Sequence, residues 1–183
     1  VILGSIREGR NGKKVADWFM KTVKDFPDAD IELVDLKDYP MPLFEDAESP
    51  LVRGTNPNAN PAVQKWLDKI NEADAYVFIT PEYNHGVPGP FKNAVDYGYA
   101  EWAEKPLGIV GYGAAGGGSR AVEHWRQIAA QLSMYDIYDH MLIVNVWAAF
   151  NEQGEIVEHP DYQKETANKI VAKLTSLSNK LRA

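Results

Sequence analysis

Val1-Ile2-Leu3-Gly4-Ser5-Ile6-Arg7-Glu8-Gly9-Arg10-Asn11-Gly12-Lys13-Lys14 opens the chain. Its three apolar residues give a short strand signal. A helical pattern follows, with Val15, Trp18, Phe19 and Val23 on one face. Between them, Gly4 to Gly12 must turn sharply, and glycine allows both a tight turn and close approach of the backbone. The helix beyond presents free N–H groups and the positive end of its dipole. Ser5 and Asn11 add neutral donors. Arg7 and Arg10 add charge, reinforced by Lys13 and Lys14. This composition predicts an anion-binding loop between the first strand and first helix of a parallel α/β domain, and a phosphate suits it best. A Walker loop is excluded, because Gly9-Arg10-Asn11 stands where Gly-Lys-Ser/Thr is required. Strands average roughly 5–6 residues, so a few residues are expected upstream of Val1.

Outward from this turn, apolar runs alternate with helical patterns. Strands are expected at Ile31–Leu36, Ala75–Thr80, Leu107–Tyr112 and Met141–Val146. Helices are expected at Val63–Ala73, Phe91–Trp102, Ser119–Leu132 and Tyr162–Leu181. Residues 37–61 carry five prolines and read as a long irregular loop, while Asn151-Glu152-Gln153-Gly154 reads as a turn. Five strands that are mostly apolar on both faces, with helices between them, imply a parallel sheet covered on both sides. The favoured strand order is 2-1-3-4-5, in one domain spanning residues 1–183. In such sheets ligands sit at the carboxyl ends of the strands, at the switch point between strands one and three.

Two further loops reach that edge. Thr80-Pro81-Glu82-Tyr83-Asn84-His85-Gly86-Val87-Pro88-Gly89-Pro90 is stiffened by prolines. Tyr83, Asn84 and His85 could read the edge and face of a flat polar ring. The same composition equally suits a stiff connector whose tyrosine packs inward. Gly111-Tyr112-Gly113-Ala114-Ala115-Gly116-Gly117-Gly118-Ser119-Arg120 contains a literal GxGxxG. It does not follow the first strand, and Asp136, the acid at roughly the right offset, precedes its own strand. Small residues that let backbone amides approach a ring are the better reading.

The composition narrows the function. With 45% apolar and 25% charged residues, the 183-residue chain is an ordinary globular sequence. Its net charge of −7 disfavours nucleic acid and anionic membranes as partners. No apolar stretch reaches the ~20 residues a membrane span needs. No cysteine is present, which excludes disulfides, thiolate catalysis and Cys-ligated metal sites and fits a cytoplasmic location. His85, His124, His140 and His159 show no metal-ligand spacing. No metal is therefore expected. Asp28, Asp30, Glu32, Asp35 and Asp38 read as a solvated acidic face. Trp66, Trp102, Trp125 and Trp147 read as core or subunit-contact residues, with Trp102 the foremost candidate for an interface.

Together these segments resemble the NADPH-dependent FMN reductase family, which includes quinone, azo-dye and chromate reductases. The resemblance spans nearly the whole chain. It rests on Leu3-Gly4-Ser5-Ile6-Arg7, on Pro81-Glu82-Tyr83-Asn84 with Pro88-Gly89-Pro90-Phe91-Lys92-Asn93-Ala94-Val95-Asp96-Tyr97, and on the glycine loop at 111–118. It implies a flavodoxin-like three-layer α/β fold that holds FMN. Gly4, Ser5, Arg7, Arg10, Asn11 and Gly12 would surround the phosphate, although many relatives carry a small residue at the position of Arg10. Pro81, Glu82, Tyr83, Asn84 and His85 would border the isoalloxazine, with Gly113, Ala114, Ala115, Gly116 and Gly117 at its pyrimidine edge. It also implies a homodimer or homotetramer that takes hydride from NADPH or NADH. Electrons would pass to a small-molecule acceptor such as a quinone, a flavin, an azo compound or a metal ion. A bound flavin supplies the redox chemistry, so no acid–base residue is expected. The alternative is a flavodoxin-like electron carrier. Such carriers resemble short-chain flavodoxins, whose phosphate loop is rich in Thr and Ser where this one has Gly-Ser-x-Arg.

Overall fold

The computed structural model describes Val1 to Arg182. Ala183, the last residue of the expected domain, lies outside the described residues. Five strands form one parallel sheet: β1 (Ile2–Leu3), β2 (Val34–Asp35), β3 (Tyr76–Pro81), β4 (Pro106–Tyr112) and β5 (Tyr135–Ile143). Their order is β2-β1-β3-β4-β5, as expected. The helices are α1 (Gly12–Val23), α2 (Pro50–Arg53), α3 (Pro61–Asn71), α4 (Gly89–Asp96), α5 (Ser119–Gln131) and α6 (Pro160–Arg182).

Every residue of β3 and β4 is buried, because helices cover both faces of the sheet. Successive side chains along a strand point to opposite faces, so Ile2 and Phe78 enter one core while Leu3 and Ile79 enter the other. The first core packs Trp66 and Ile70 of α3, Phe91 and Val95 of α4 and Trp125 of α5 against the sheet. The second packs Val15, Trp18 and Phe19 of α1 and Ile170 and Leu174 of α6. Local chemistry starts α3: Pro61 fits a first helical position, and the Asn60 side chain accepts from the N–H of Ala62 at 2.9 Å.

Several boundaries differ from the sequence expectation. β2 is an edge strand of two residues, because Asp35 turns the chain into a 3₁₀ turn at Leu36–Asp38 by accepting from the Lys37 N–H at 3.0 Å. β5 begins at Tyr135 and ends at Ile143. It too is an edge strand, and its alternation of buried Ile137, Asp139, Met141 and Ile143 with more exposed residues shows no continuous apolar run. Asp139 is buried on that inner face and paired with Lys169, at 2.8 Å, and with Lys173 of α6. α4 stops at Asp96. Trp102, in the turn beyond it, is fully buried within the chain: its ring lies 4.8 Å from Tyr76 and 5.8 Å from Phe78, and its indole N–H donates to the Val95 carbonyl at 3.1 Å. It belongs to the core of this chain and not to an interface. Trp66 and Trp125 are also buried, and Trp147 is exposed.

The proline-rich segment 37–61 is not an unanchored loop. Asn93 of α4 donates to the Pro42 carbonyl and accepts from the Phe44 N–H, both at 2.8 Å. Arg53 of α2 inserts its guanidinium into the protein and pairs with Glu101 at 2.7 Å, both side chains being more than nine-tenths buried. Removing one member of a buried ion pair leaves the other charge without compensation. Glu101→Ala is therefore expected to cost about 3–5 kcal/mol of stability in urea denaturation. An unchanged midpoint would show that Arg53 finds solvent instead.

Candidate cofactor site

The carboxyl ends of β1, β3 and β4 deliver the three loops to one edge of the sheet. β1 sits where the chain order reverses, with β2 on one side and β3 on the other, and this is the switch point at which a crevice opens.

The β1–α1 loop leaves the ladder after one last bond, from the Gly4 N–H to the Ile79 carbonyl at 3.0 Å. The N–H groups of Ser5, Ile6, Arg7, Glu8, Gly9, Asn11 and Gly12 then have no acceptor among the described residues. The carbonyl of Asn11 accepts from Lys14 and Val15, but its side chain makes no capping bond and no acid occupies the first turn of α1. A helix start normally recruits a side-chain oxygen for these orphan donors. Here they remain available to an anion, together with the dipole of α1. Two glycines are obligatory for steric reasons. A Cβ on Gly12 would lie 2.3 Å from the Tyr112 hydroxyl, and one on Gly4 would lie 1.9 Å from the Phe91 ring.

Polar side chains complete this end of the site. The Ser5 hydroxyl is buried and shares a hydrogen bond of 3.0 Å with the Tyr83 hydroxyl. The neighbouring Tyr112 hydroxyl is buried without a partner within hydrogen-bond geometry, and burial raises its pKa above the usual phenol range. The exposed Arg7 places its guanidinium 5.5 Å from the centroid of the Tyr83 ring and makes no ion pair among the described residues. Arg10 is placed differently. Its guanidinium grips Asp35 with two hydrogen bonds, one of 2.8 Å, and also donates to the Ser5 carbonyl. Asp35 is thus not part of a solvated acidic face.

The second loop is a tight reversal. Tyr83 and Gly86 exchange backbone hydrogen bonds of 3.1 and 3.0 Å, and the two residues between them, Asn84 and His85, have φ of 50° and 66°. Two left-handed residues in succession define a type I′ turn. Without glycine at either position such a turn is strained, and strain of this kind concentrates at functional sites. Both side chains are exposed and point to no protein partner in the described hydrogen bonds. Glu82 is occupied: its carboxylate accepts from the Arg120 N–H at 3.0 Å and pairs with the Arg120 guanidinium at 2.8 Å. It caps α5, whose own N-cap residue Gly118 has no side chain to do so.

The third loop is threaded against the chain after β5. Gly113 donates to the Ile143 carbonyl at 3.1 Å, and its own carbonyl accepts from Val146 at 3.0 Å. Ala114 accepts from Gly117 and Asn145. Gly118 has φ of 88°, and a Cβ there would meet the Tyr112 backbone nitrogen at 2.6 Å, so only glycine fits. The N–H groups of Ala114, Ala115 and Gly116 have no acceptor among the described residues. They form a second row of unpaired donors at the same edge of the sheet.

Of the sixteen residues singled out from the sequence, fourteen lie in these three loops, while Gly12 is the first residue of α1 and Pro81 the last of β3. Sequence reasoning missed Asp35, Tyr112 and Arg120 as members of the site. Asp35 and Arg120 each act through a partner on another element, and the unpaired Tyr112 hydroxyl lies against Gly12, so no local pattern marks them. Beside the first loop, a groove of about 910 Å³ is lined by Ile6, Tyr39, Met41, Phe44 and Pro90, with Leu43 on its rim 80% exposed. No group of three or more His, Asp or Glu among the described residues could hold a metal ion.

The fold and site define a parallel α/β protein of the flavodoxin type, with a cluster of unpaired amide donors at the switch point and a second row beside it. The model of the NADPH-dependent FMN reductase family matches residues 1–148, and the chain belongs to that family. An NAD(P)H-dependent FMN reductase of Schizosaccharomyces pombe is 39% identical over 134 residues, covering 73% of this chain and 66% of that protein. An NAD(P)H:quinone oxidoreductase of Solanum tuberosum is 32% identical over 188 residues, covering 99% of this chain and 92% of that protein. The solved structure of FerB, an NAD(P)H:(acceptor) oxidoreductase from Paracoccus denitrificans, superposes with a TM-score of 0.74 at 20% identity over 98% of this chain and 95% of that one. The chain thus spans just under two thirds of the yeast relative and most of the plant one.

Proposed function

We propose that the chain is an FMN-binding oxidoreductase, forming one domain over residues 1–183, that takes hydride from NADPH or NADH and reduces small acceptors, quinones foremost. Membership of the family implies FMN and NAD(P)H. The observation that carries the proposal is the cluster of free N–H groups from Ser5 to Gly12. Ser5 and Gly12 are buried and Asn11 half-buried, whereas Ile6 to Gly9 are exposed. Buried donors are rarely left unpaired, and a phosphate monoester at a helix start would pair them. The plant relative's name supports quinones as acceptors.

When bound, FMN accepts hydride from a nicotinamide and passes the electrons on. The residues of this chain hold and orient it. Ser5, Asn11 and Gly12 would donate to the phosphate, with Gly4 allowing close approach. Arg7, which lacks a protein counter-ion, would supply the full positive charge. Pro81 to His85 would border the ring, Glu82 through its backbone because its side chain is engaged by Arg120. The free amides of Ala114, Ala115 and Gly116, flanked by Gly113 and Gly117, would meet the polar edge of the ring. The Ser5–Tyr83 hydrogen bond ties the phosphate end of the site to the ring end. No side chain is assigned proton transfer.

Purified protein is expected to oxidise NADPH or NADH when a quinone is supplied. Oxidation of neither cofactor with any of a quinone, a free flavin or an azo dye would favour an electron carrier instead. Arg7→Ala is expected to weaken FMN retention by about 1.5–3 kcal/mol, the value of a charge-assisted hydrogen bond. Unchanged affinity would remove Arg7 from the phosphate site.

A homodimer or homotetramer and a cytoplasmic location complete the proposal. The oligomer is supported by the apolar groove and its exposed Leu43, since exposed apolar surface marks contact sites. No helix among the described residues is long and apolar enough to cross a membrane. Leu43→Asp is expected to lower the molar mass seen by light scattering; a mass unchanged from the wild-type oligomer would place the contact elsewhere.

A further inference from the structure

We infer that Asp35 is a positioning residue for the cofactor phosphate: it makes Arg10 a strut that fixes the first loop, and not a ligand of the anion. This rests on the FMN reading above. Arg10 follows Gly9, whose φ of 60° turns the chain back on itself. The Arg10 side chain therefore lies over its own loop, where it is only 12% exposed. One guanidinium nitrogen bonds both the Ser5 carbonyl and Asp35 Oδ1, and the other bonds Asp35 Oδ2. This is the two-pronged geometry that arginine, with its planar fork, makes with a carboxylate.

The anchoring point explains the consequence. Asp35 is held in the sheet, opposite Leu3 in the β1–β2 register, so the strut stands on a rigid strand. Its carboxylate is also fixed from the other side by the Lys37 N–H at 3.0 Å. At the far end, the Ser5 carbonyl belongs to a planar trans peptide. Fixing that carbonyl against Arg10 turns the Ile6 N–H to the opposite side, away from the ion pair. The strut thus sets the direction of one donor of the cluster and closes the loop from Ser5 to Arg10. It also neutralises Asp35, a carboxylate that would otherwise repel a phosphate bound nearby. Binding then depends on Arg10 through geometry and charge cancellation.

The two roles of Arg10 predict opposite results for Asp35→Asn. This variant keeps an oxygen for the Lys37 N–H but loses the charge that holds Arg10. If Arg10 were a phosphate ligand held in reserve, releasing it would leave FMN affinity unchanged or raise it. For a strut, FMN binding to flavin-free protein, followed by flavin fluorescence, should weaken about tenfold or more, as for loss of a charged hydrogen bond. Riboflavin, which lacks the phosphate, should bind as it does to wild type. Arg10→Lys, which keeps the charge but not the fork, should weaken FMN binding to a similar degree, and the double variant should be no weaker than the weaker single one. Undiminished FMN affinity in either single variant overturns the inference, as does an equal loss for riboflavin. Should Asp35→Asn fail to fold, Arg10→Lys decides: a lysine keeps the point charge a phosphate ligand needs, so a ligand role predicts little loss and a strut the loss of about tenfold. Wild-type protein that binds no FMN would overturn the cofactor reading itself, and the strut with it.

Discussion

The site depends on one constraint: a parallel strand that feeds a helix must end its ladder before the helix has begun its own. In the interval the backbone N–H groups have nothing to bond. Most helices close this gap with a side-chain oxygen at the N-cap, as Asn60 does for α3. α1 does not, and α5 borrows Glu82 from a neighbouring loop. α2 and α4 also start without a side-chain cap, so what sets α1 apart is the length of the open stretch before it. At α1 the donors stay open over seven residues, and at α5 the cap comes from a group that simultaneously fastens a second loop.

Open loops of this kind are unstable unless something external to them defines their path, because each unpaired residue retains conformational freedom that folding must remove. Three cross-links supply that definition. Arg10 ties the first loop to β2 through Asp35, the Ser5–Tyr83 hydroxyl pair ties it to the second loop, and Glu82–Arg120 ties the second loop to the start of α5. Each joins two elements that are far apart in sequence and adjacent at the sheet edge. The donors are therefore held in place without being consumed, which is what a preorganised anion site requires.

The fold was legible for a simple reason. Strands buried on both faces read as unbroken apolar runs, and Tyr76–Pro81 and Pro106–Tyr112 are such runs. The edge strands were less legible. β5 alternates buried and exposed positions and even buries Asp139, so only its last residues looked strand-like. β2 lies inside the apolar run Ile31–Leu36, but only Val34–Asp35 of that run pairs in the sheet. Trp102 was misplaced because its chemistry suits a core and an interface equally, and only the neighbouring Tyr76 and Phe78 rings decide between them. Likewise the loops carrying the site were readable from glycine, proline and charge, while the cross-links between them were not. A pair such as Arg10 and Asp35, or Glu82 and Arg120, exists only once the sheet order has brought its members together.

Electrostatics then explains how a chain of net charge −7 can present an anion site without a basic surface. Four cations looked available near the first loop. Arg10 is neutralised by Asp35, and Lys13 pairs with Asp17 one turn along α1. The exposed charge of Lys14 is weakened by water and salt. Arg7, exposed beside the Tyr83 ring, makes no ion pair among the described residues. In the proposed site recognition would fall mainly on backbone amides and a helix dipole, which have fixed direction and do not titrate. Such a site selects an anion by shape and donor geometry more than by charge. An acidic protein can hold one phosphate tightly in this way and still present little attraction to polyanions in bulk.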